Sequence, residues 1–324
     1  MAAPPPTTTF ETKDGAKIAY HVYGKDLLGK VTPIALIMGM SGVMEDWSPL
    51  SETLGITRPV LVWDHRGIGH SSVPADWDYD LSLQLMASDL LELLNGLGKD
   101  WQNTHLLGWS MGGHILQTLL TLPDAKEDGK GGLNIRGIRV PSAILAATMT
   151  KMPRGDFKPD ELEAAAANAK SKEERNKLMS EAIMALQYFP EWITSSQDHA
   201  SLLAHRVKVS LDTRRPQEII GLQIGAIGAV DTRPDLYRIP QTLPTLVIHG
   251  KRDRMVAYSE SEHILKGIKH ATRLDTPNDQ IGHFWFDFLT TNFWVDSINA
   301  HLDSAKHVQA ATANSKTSAQ QSKL

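Results

Sequence analysis

Ser110 stands in Gly108-Trp109-Ser110-Met111-Gly112-Gly113, a G-x-S-x-G pentapeptide between the apolar run Thr104 to Leu107 and helical periodicity from Met111 to Leu122. In that strand-turn-helix context the serine is predicted to adopt strained dihedrals that lift its hydroxyl above the sheet. Glycines two residues to either side let the strand and helix backbones approach each other. Such a pentapeptide also arises by chance, and its flanking elements give it weight. A serine hydroxyl is nearly inert at neutral pH, so it needs a general base, and the base needs a carboxylate to orient it. Asp253 follows the apolar run Leu243 to Ile248 within His249-Gly250-Lys251-Arg252-Asp253, and His283 follows the last predicted strand within Gly282-His283-Phe284-Trp285. Loops leaving the same edge of an open α/β sheet converge in space. Ser110, Asp253 and His283 are therefore the predicted triad. Asp253 has a structural alternative as a helix cap, but the loop Thr148 to Lys151 offers no rival carboxylate and Asp156 lies too far along the chain. Of thirteen histidines, His283 alone sits in the loop after the last strand; His114 lies inside a helix and His249 ends a strand.

The elements that must position these residues are short apolar runs alternating with helical patterns, as expected of strands buried on both faces. Strands are predicted at Phe10 to Lys13, Ala16 to Tyr23, Pro33 to Met38, Pro59 to Trp63, Thr104 to Leu107, Ser142 to Ala147, Thr245 to His249 and Ala271 to Asp275. The first two flank Asp14-Gly15, a hairpin-turn dipeptide, so the sheet is expected to start antiparallel. Helices are clearest at Leu81 to Leu97 and at Met111 to Leu122, where Pro123 stops the second. Each joins two strands, as right-handed crossovers do. The stretch 151–239 breaks the alternation. It is nearly strand-free, long enough for four or five helices, and rich in Ala, Met, Leu, Glu and Lys. Its apolar residues, including Met179, Ile183, Met184, Leu186, Tyr188, Phe189 and Trp192, are expected to pack on the sheet domain or line a cavity above it. The predicted fold class is α/β: an eight-stranded, mostly parallel sheet with helices on both faces and an inserted helical cap. Residues 10–150 and 240–303 form the core, 151–239 the cap and 304–324 a tail. Gly129, Gly131 and Gly132 read as a surface loop.

The whole chain agrees with an ordinary globular enzyme. Its 324 residues contain no cysteine, which excludes disulfide scaffolds and thiolate chemistry. With 33 Lys+Arg against 37 Asp+Glu and no basic block, a nucleic-acid groove is not expected. No run approaches the roughly 18 apolar residues of a membrane span. Met1 to Thr9 lacks the basic and apolar regions of a secretory signal. From Ser304 onward the chain is rich in Ala, Ser, Thr, Gln and Lys without a Phe, Trp or Tyr, a composition that cannot bury enough apolar surface to offset ordering. The final Ser322-Lys323-Leu324 reads as a peroxisomal address, so the peroxisomal matrix and an import receptor are the expected compartment and partner.

On these residues the chain resembles the α/β-hydrolase superfamily, serine-nucleophile branch, from about Phe10 to Leu302. Besides the elbow it carries Asp64-His65-Arg66-Gly67-Ile68-Gly69-His70-Ser71, similar to the family's D-x-R-G-x-G-x-S turn, and His249-Gly250-x-x-Asp253. Gly67-Ile68-Gly69 is not a dinucleotide loop, since Ser72 replaces the third glycine and no helix opens there. The resemblance implies an oxyanion hole made by the backbone N–H groups of Met40 and Met111. The family usually begins the first of these loops with His-Gly, whereas this chain has Met38-Gly39, which removes one source of bracing.

The implied reaction is acyl transfer to water from an ester or thioester, through an acyl-enzyme on Ser110, with His283 as base and Asp253 orienting it. It calls for neither metal nor organic cofactor. Ser110 disfavours dehalogenases and epoxide hydrolases, which resemble this chain in their cap but carry aspartate at that position. Carbon–carbon bond hydrolases and cofactor-free perhydrolases share the triad and stay open, as does a small-molecule receptor on a hydrolase fold. A peroxisomal address and an apolar cap suit lipids, acyl-CoA thioesters or polyketide-like secondary metabolites. The chain is thereby similar to fungal peroxisomal hydrolases of toxin and secondary-metabolite biosynthesis.

Overall fold

The computed structural model describes residues 4–153, 155–156 and 158–304. Ser322-Lys323-Leu324 and the rest of the tail beyond 304 lie outside the described residues. The main sheet has eight strands. In chain order they are β1 (Thr8–Glu11), β2 (Lys17–Tyr23), β3 (Ile34–Ile37), β4 (Val60–Trp63) and β5 (His105–Trp109), then β9 (Ala143–Ala146), β10 (Thr245–Ile248) and β11 (Thr272–Arg273). The spatial order is β1-β2-β4-β3-β5-β9-β10-β11, antiparallel from β1 to β4 and parallel from there on. The expected hairpin turn is longer than two residues. Register pairs Glu11 with Lys17, and Thr12 N–H closes the turn on the Ala16 carbonyl at 2.8 Å, with Asp14 and Gly15 inside it. Thr12 Oγ1 also donates to Asp14 Oδ1, so the threonine leaves the ladder and β1 shifts toward the N-terminus.

Period-2 alternation sends the central strands into two cores. Ala35, Ile37, Leu61, Trp63, Leu106 and Leu145 face one, packed by α2 (Leu83–Gly96) and α3 (Met111–Leu120). Ile34, Leu36, Val60, Val62, Leu107 and Ile144 face the other, packed by α1 (Leu50–Leu54) and a C-terminal helix, α10, over 291–304. Both faces are thus dry, which is why these strands read as continuous apolar runs. Short strands β6 (Lys126–Glu127), β7 (Leu133–Ile135) and β8 (Ile138–Val140) form a second, three-stranded sheet that the sequence did not announce. Gly129, Gly131 and Gly132 lie in its β6–β7 loop.

Between β9 and β10 the chain forms helices α4 (Pro159–Ala165), α5 (Lys172–Leu186), α6 (Pro190–Thr194), α7 (Gln197–Asp212) and α8 (Gln217–Gly228). Their starts follow local chemistry: Ser171 and Ser196 accept from Glu174 and His199 N–H as N-caps, and α4 and α6 begin at prolines. After β10 comes α9 (Ser259–Gly267). Among the described residues no helix is long and apolar enough to cross a membrane.

Candidate active site

Ser110 sits between β5 and α3 at φ 57° and ψ −124°, a region that L-residues rarely occupy. Hydrogen bonds hold it there, including one of 3.3 Å from His114 N–H to its carbonyl. The Ser110 N–H donates to Ala146 O at 3.0 Å, Gly113 N–H donates to the Ser110 carbonyl at 3.0 Å, and Thr148 Oγ1 donates to the same carbonyl at 2.6 Å. The corner is tight because Gly108 lies against the Gly112 carbonyl and Gly112 against the Ile37 carbonyl; a Cβ at either position would collide with backbone. The helix that starts at Met111 directs its N-terminal dipole at this corner.

Asp253 and His283 meet. His283 Nδ1 lies 2.8 Å from Asp253 Oδ2, with both side chains almost fully buried. Oδ1 of Asp253 accepts from Met255 N–H at 2.9 Å and Val256 N–H at 2.8 Å. Oδ2 also faces His249 Nε2 at 3.3 Å. His249 Nε2 lies 3.0 Å from the Val256 carbonyl, which can only accept, so that nitrogen carries the hydrogen. Burial alone would raise the Asp253 carboxyl; the charge of the facing His283 and the hydrogen bonds from His249 and His283 outweigh it, and the group titrates well below the usual carboxylate range. The sequence placed His249 at a strand end; β10 stops one residue earlier, at Ile248, and the position of His249 against Asp253 was not foreseen. The spacing of four residues across a tight loop was the available signal. Asp156 pairs instead with Arg254 at 3.0 Å.

Ser110 and His283 line one cleft of about 480 Å³, open mouth included. Among the described residues no hydrogen bond joins Ser110 Oγ to the imidazole; in unliganded sites such contacts are commonly long and tighten around substrate. With Nδ1 turned to Asp253, Nε2 is the nitrogen left to exchange a proton. Met38, Met40, Ile183, Met184, Met255 and Phe284 supply the apolar lining, and Ser41, Asp46, Gln187 and Arg215 the polar part. Ile183, Met184 and Gln187 belong to α5 and its end, so the inserted helices contribute to the cleft wall. Thioether side chains adapt their shape to varied apolar groups.

Of the expected oxyanion donors, Met40 lines the cleft and Met111 follows Ser110 as the first residue of α3. A Cβ at Gly39 would come within 3.1 Å of Ser110 Cβ, so the loop after β3 runs directly beside the serine. Neither the Met40 nor the Met111 N–H has an acceptor among the described residues. The Asp64–Ser71 turn braces this loop in place of the missing family histidine. His65 Nε2 lies 2.9 Å from the Met38 carbonyl, and Asp64 Oδ1 accepts from Met44 N–H at 2.8 Å. Burial lowers His65 to about 4, so its ring is neutral and donates through Nε2.

Comparison with known proteins agrees with this architecture. The esterase RhEst1 from Rhodococcus sp. ECU1013 superposes with a TM-score of 0.70 at 20% identity, over 92% of this chain and 99% of that one. The enol-lactonase from Burkholderia xenovorans LB400 gives a TM-score of 0.69 at 19% identity, over 91% and 100%. In sequence the chain is 28% identical over 245 residues to a protein carrying the name carbamate hydrolase RutD in Pseudomonas savastanoi pv. phaseolicola, covering 74% of this chain and 82% of the relative. Residues 57–276 match the family profile described as serine aminopeptidase, S33. With its eight-stranded sheet and elbow turn, the chain is an α/β hydrolase and belongs to this S33 family.

Proposed function

We propose that the protein hydrolyses esters or thioesters of hydrophobic acyl groups through a covalent acyl-enzyme on Ser110. The observation that carries this reading is the 2.8 Å His283–Asp253 contact at the wall of the cleft that Ser110 also lines. His283 Nε2 takes the Ser110 proton as Oγ attacks the substrate carbonyl. The developing oxyanion is met by Met40 and Met111 N–H, each such donor being worth about 3 to 4 kcal/mol of transition-state stabilisation. His283 then protonates the leaving group, and water deprotonated by the same imidazole releases the acid. The methionine-rich lining suits an apolar acyl chain better than a polar one.

A carbamate is the second reading, favoured by the RutD relative. It presents the same carbonyl to the same nucleophile, with nitrogen on one side. A panel of p-nitrophenyl esters of increasing chain length, an acyl-CoA thioester and an aryl carbamate separates the two by relative kcat/KM. Ser110→Ala is expected to lower turnover by roughly a million-fold and to abolish covalent labelling by a fluorophosphonate. Unchanged labelling of that variant would remove Ser110 from its role.

A further inference from the structure

The inserted helices reach the loop that carries Met40. Ser41, the next residue, has φ 59°, a left-handed conformation unfavourable for any residue with a Cβ. Its N–H donates to Gln223 Oε1 on α8 at 2.9 Å. Amide oxygen and nitrogen look alike in shape, but a backbone N–H needs an acceptor, so the oxygen faces Ser41. Gln223 is fully buried, and its Nε2 has no partner among the described residues. Methionine or leucine would fill this space and leave no such orphan; what glutamine adds at this position is the acceptor for Ser41.

Other contacts from α8 and from the α7–α8 connection fix the rest of the loop. Ile219 on α8 packs with Val43 and Ile68, and Arg215 pairs with Asp46 Oδ2 at 3.0 Å, the oxygen that accepts from Val43 N–H. Within the loop itself the main tie is a weak Gly42 N–H bond to the Gly39 carbonyl at 3.3 Å. The Met40–Ser41 peptide therefore takes its orientation from Gln223, and the Met40 N–H lies one peptide upstream.

We propose that Gln223 is a positioning residue for the oxyanion hole: a side chain from the inserted helices sets the direction of the Met40 N–H by holding Ser41 in its left-handed conformation. This rests on the acyl-transfer reading above. Misplacement of a catalytic donor by about 1 Å can cost on the order of a hundred-fold in rate. The effect belongs to the transition state, because the donor is aimed at an oxygen that becomes charged only there.

The test is steady-state hydrolysis of p-nitrophenyl butyrate, with the Ki of an alkyl boronic acid that mimics the tetrahedral intermediate, on the full chain and on Gln223→Met and Gln223→Glu. Q223M is expected to lower kcat about ten- to hundred-fold with KM changed less than about three-fold, and to weaken the boronic acid by the same factor as kcat. Q223E keeps an acceptor oxygen for Ser41 and is expected to recover a large part of that loss. Wild-type kcat and boronate affinity in Q223M would overturn the proposal. So would kcat and KM worsening together with Q223E no better than Q223M, the pattern of a packing defect. Should Q223M fail to fold, Gln223→Ala decides by the same two ratios. If the parent neither hydrolyses an acyl substrate nor reacts with a fluorophosphonate, the acyl-transfer reading itself fails, an outcome separate from an indifferent Gln223.

Discussion

The indole Nε1 of Trp109 donates a 3.0 Å hydrogen bond to the carbonyl oxygen of His283. Trp109 is the last residue of β5 and immediately precedes Ser110, so one side chain ties the strand that carries Ser110 to the backbone of the His283 loop. Its ring also lies 5.8 Å from the His283 ring and 4.6 Å from Phe284. Two loops separated by 174 positions in sequence are thus held in register without a direct Ser110–His283 bond. Trp109→Phe keeps an aromatic body and removes the N–H, which leaves a buried carbonyl without its donor. Such a loss costs about 1 to 3 kcal/mol. The variant is expected to lower both the unfolding temperature and kcat, measured by calorimetry and ester hydrolysis. An unchanged kcat would separate the tether from catalysis.

Asp253 has four donors around two oxygens, so it is held as an ionised acceptor. Asp253→Asn replaces one oxygen with an NH₂ group and favours the wrong imidazole tautomer at His283. A loss of about ten-thousand-fold in kcat is expected, with little change in fold. The acid stability should change with it. A carboxyl that titrates below its ordinary 3.8 in the folded state contributes stability above that pH, and the contribution disappears as pH falls through the lower range. The Asn variant lacks this term, so its stability should fall less steeply than the parent's below about pH 4, as urea titrations at stepped pH would show.

Much of this arrangement was legible because strands buried on both faces leave apolar runs, and the loops after them are then countable. Ser110, Asp253 and His283 were all placed by that count, and the structure brings the latter two into contact. The small β6–β8 sheet escaped because strands of two or three residues carry no periodicity, and β11 shortened to two residues because only Thr272 and Arg273 pair with β10. Gln223 was illegible for a different reason. Nothing in the pattern of an amphipathic helix tells a buried glutamine from a surface one, and its partner Ser41 is 182 residues away.

Two Gly→Ala substitutions should have opposite signs. Gly112 lies against the Ile37 carbonyl, so an added methyl must push apart β3 and α3 at the elbow. Gly112→Ala is expected to cost about 3 kcal/mol, the upper end of what overpacking a core typically costs, because the methyl meets backbone rather than a side chain that can yield. Gly221, exposed in the interior of α8, meets nothing within 4 Å of a built Cβ. There alanine should stabilise by about 1 kcal/mol through helix propensity. Chemical denaturation of both variants checks the pair; a stabilised G112A would contradict the tight-corner geometry.

His114, fully buried in α3, is kept neutral: burial lowers it to about 4 from an ordinary 6.5. Between those values the unfolded chain binds a proton that the folded chain does not, so this group's contribution to stability falls as pH drops from 6.5 toward 4. His114→Gln removes that one proton while buried carboxyls such as Asp64 titrate equally in both proteins. The stability difference between parent and variant should therefore move in favour of the variant by on the order of 3 kcal/mol across that window. A difference independent of pH would mean that the ring takes up its proton at an ordinary pH in the fold.

Arg206 on α7 and Asp287 after the histidine loop form a buried bidentate pair, with Nη2 2.6 Å from Oδ1 and Nε 3.0 Å from Oδ2. The guanidinium also donates to the Asp46 and Ser48 carbonyls and lies 4.1 Å from the centre of the Phe284 ring. Tyr188 donates its hydroxyl to Asp287 Oδ2 at 2.6 Å, and burial first, then the Asp287 charge, pushes that phenol well above its ordinary 10.0. This cluster joins α7 to the exit of the loop after β3 and to the residues that follow His283. Arg206→Met leaves the Asp287 carboxylate buried without its counter-ion and should cost about 3 to 5 kcal/mol. Replacing the whole set, R206M with D287L and Y188F, removes every stranded partner except the two backbone carbonyls. It should recover most of that loss, because the desolvation of two charges offsets much of their attraction. If the triple variant regains stability but not kcat, the ion pair's role is to align the inserted helices over the cleft. If both return, it serves only to hold them down.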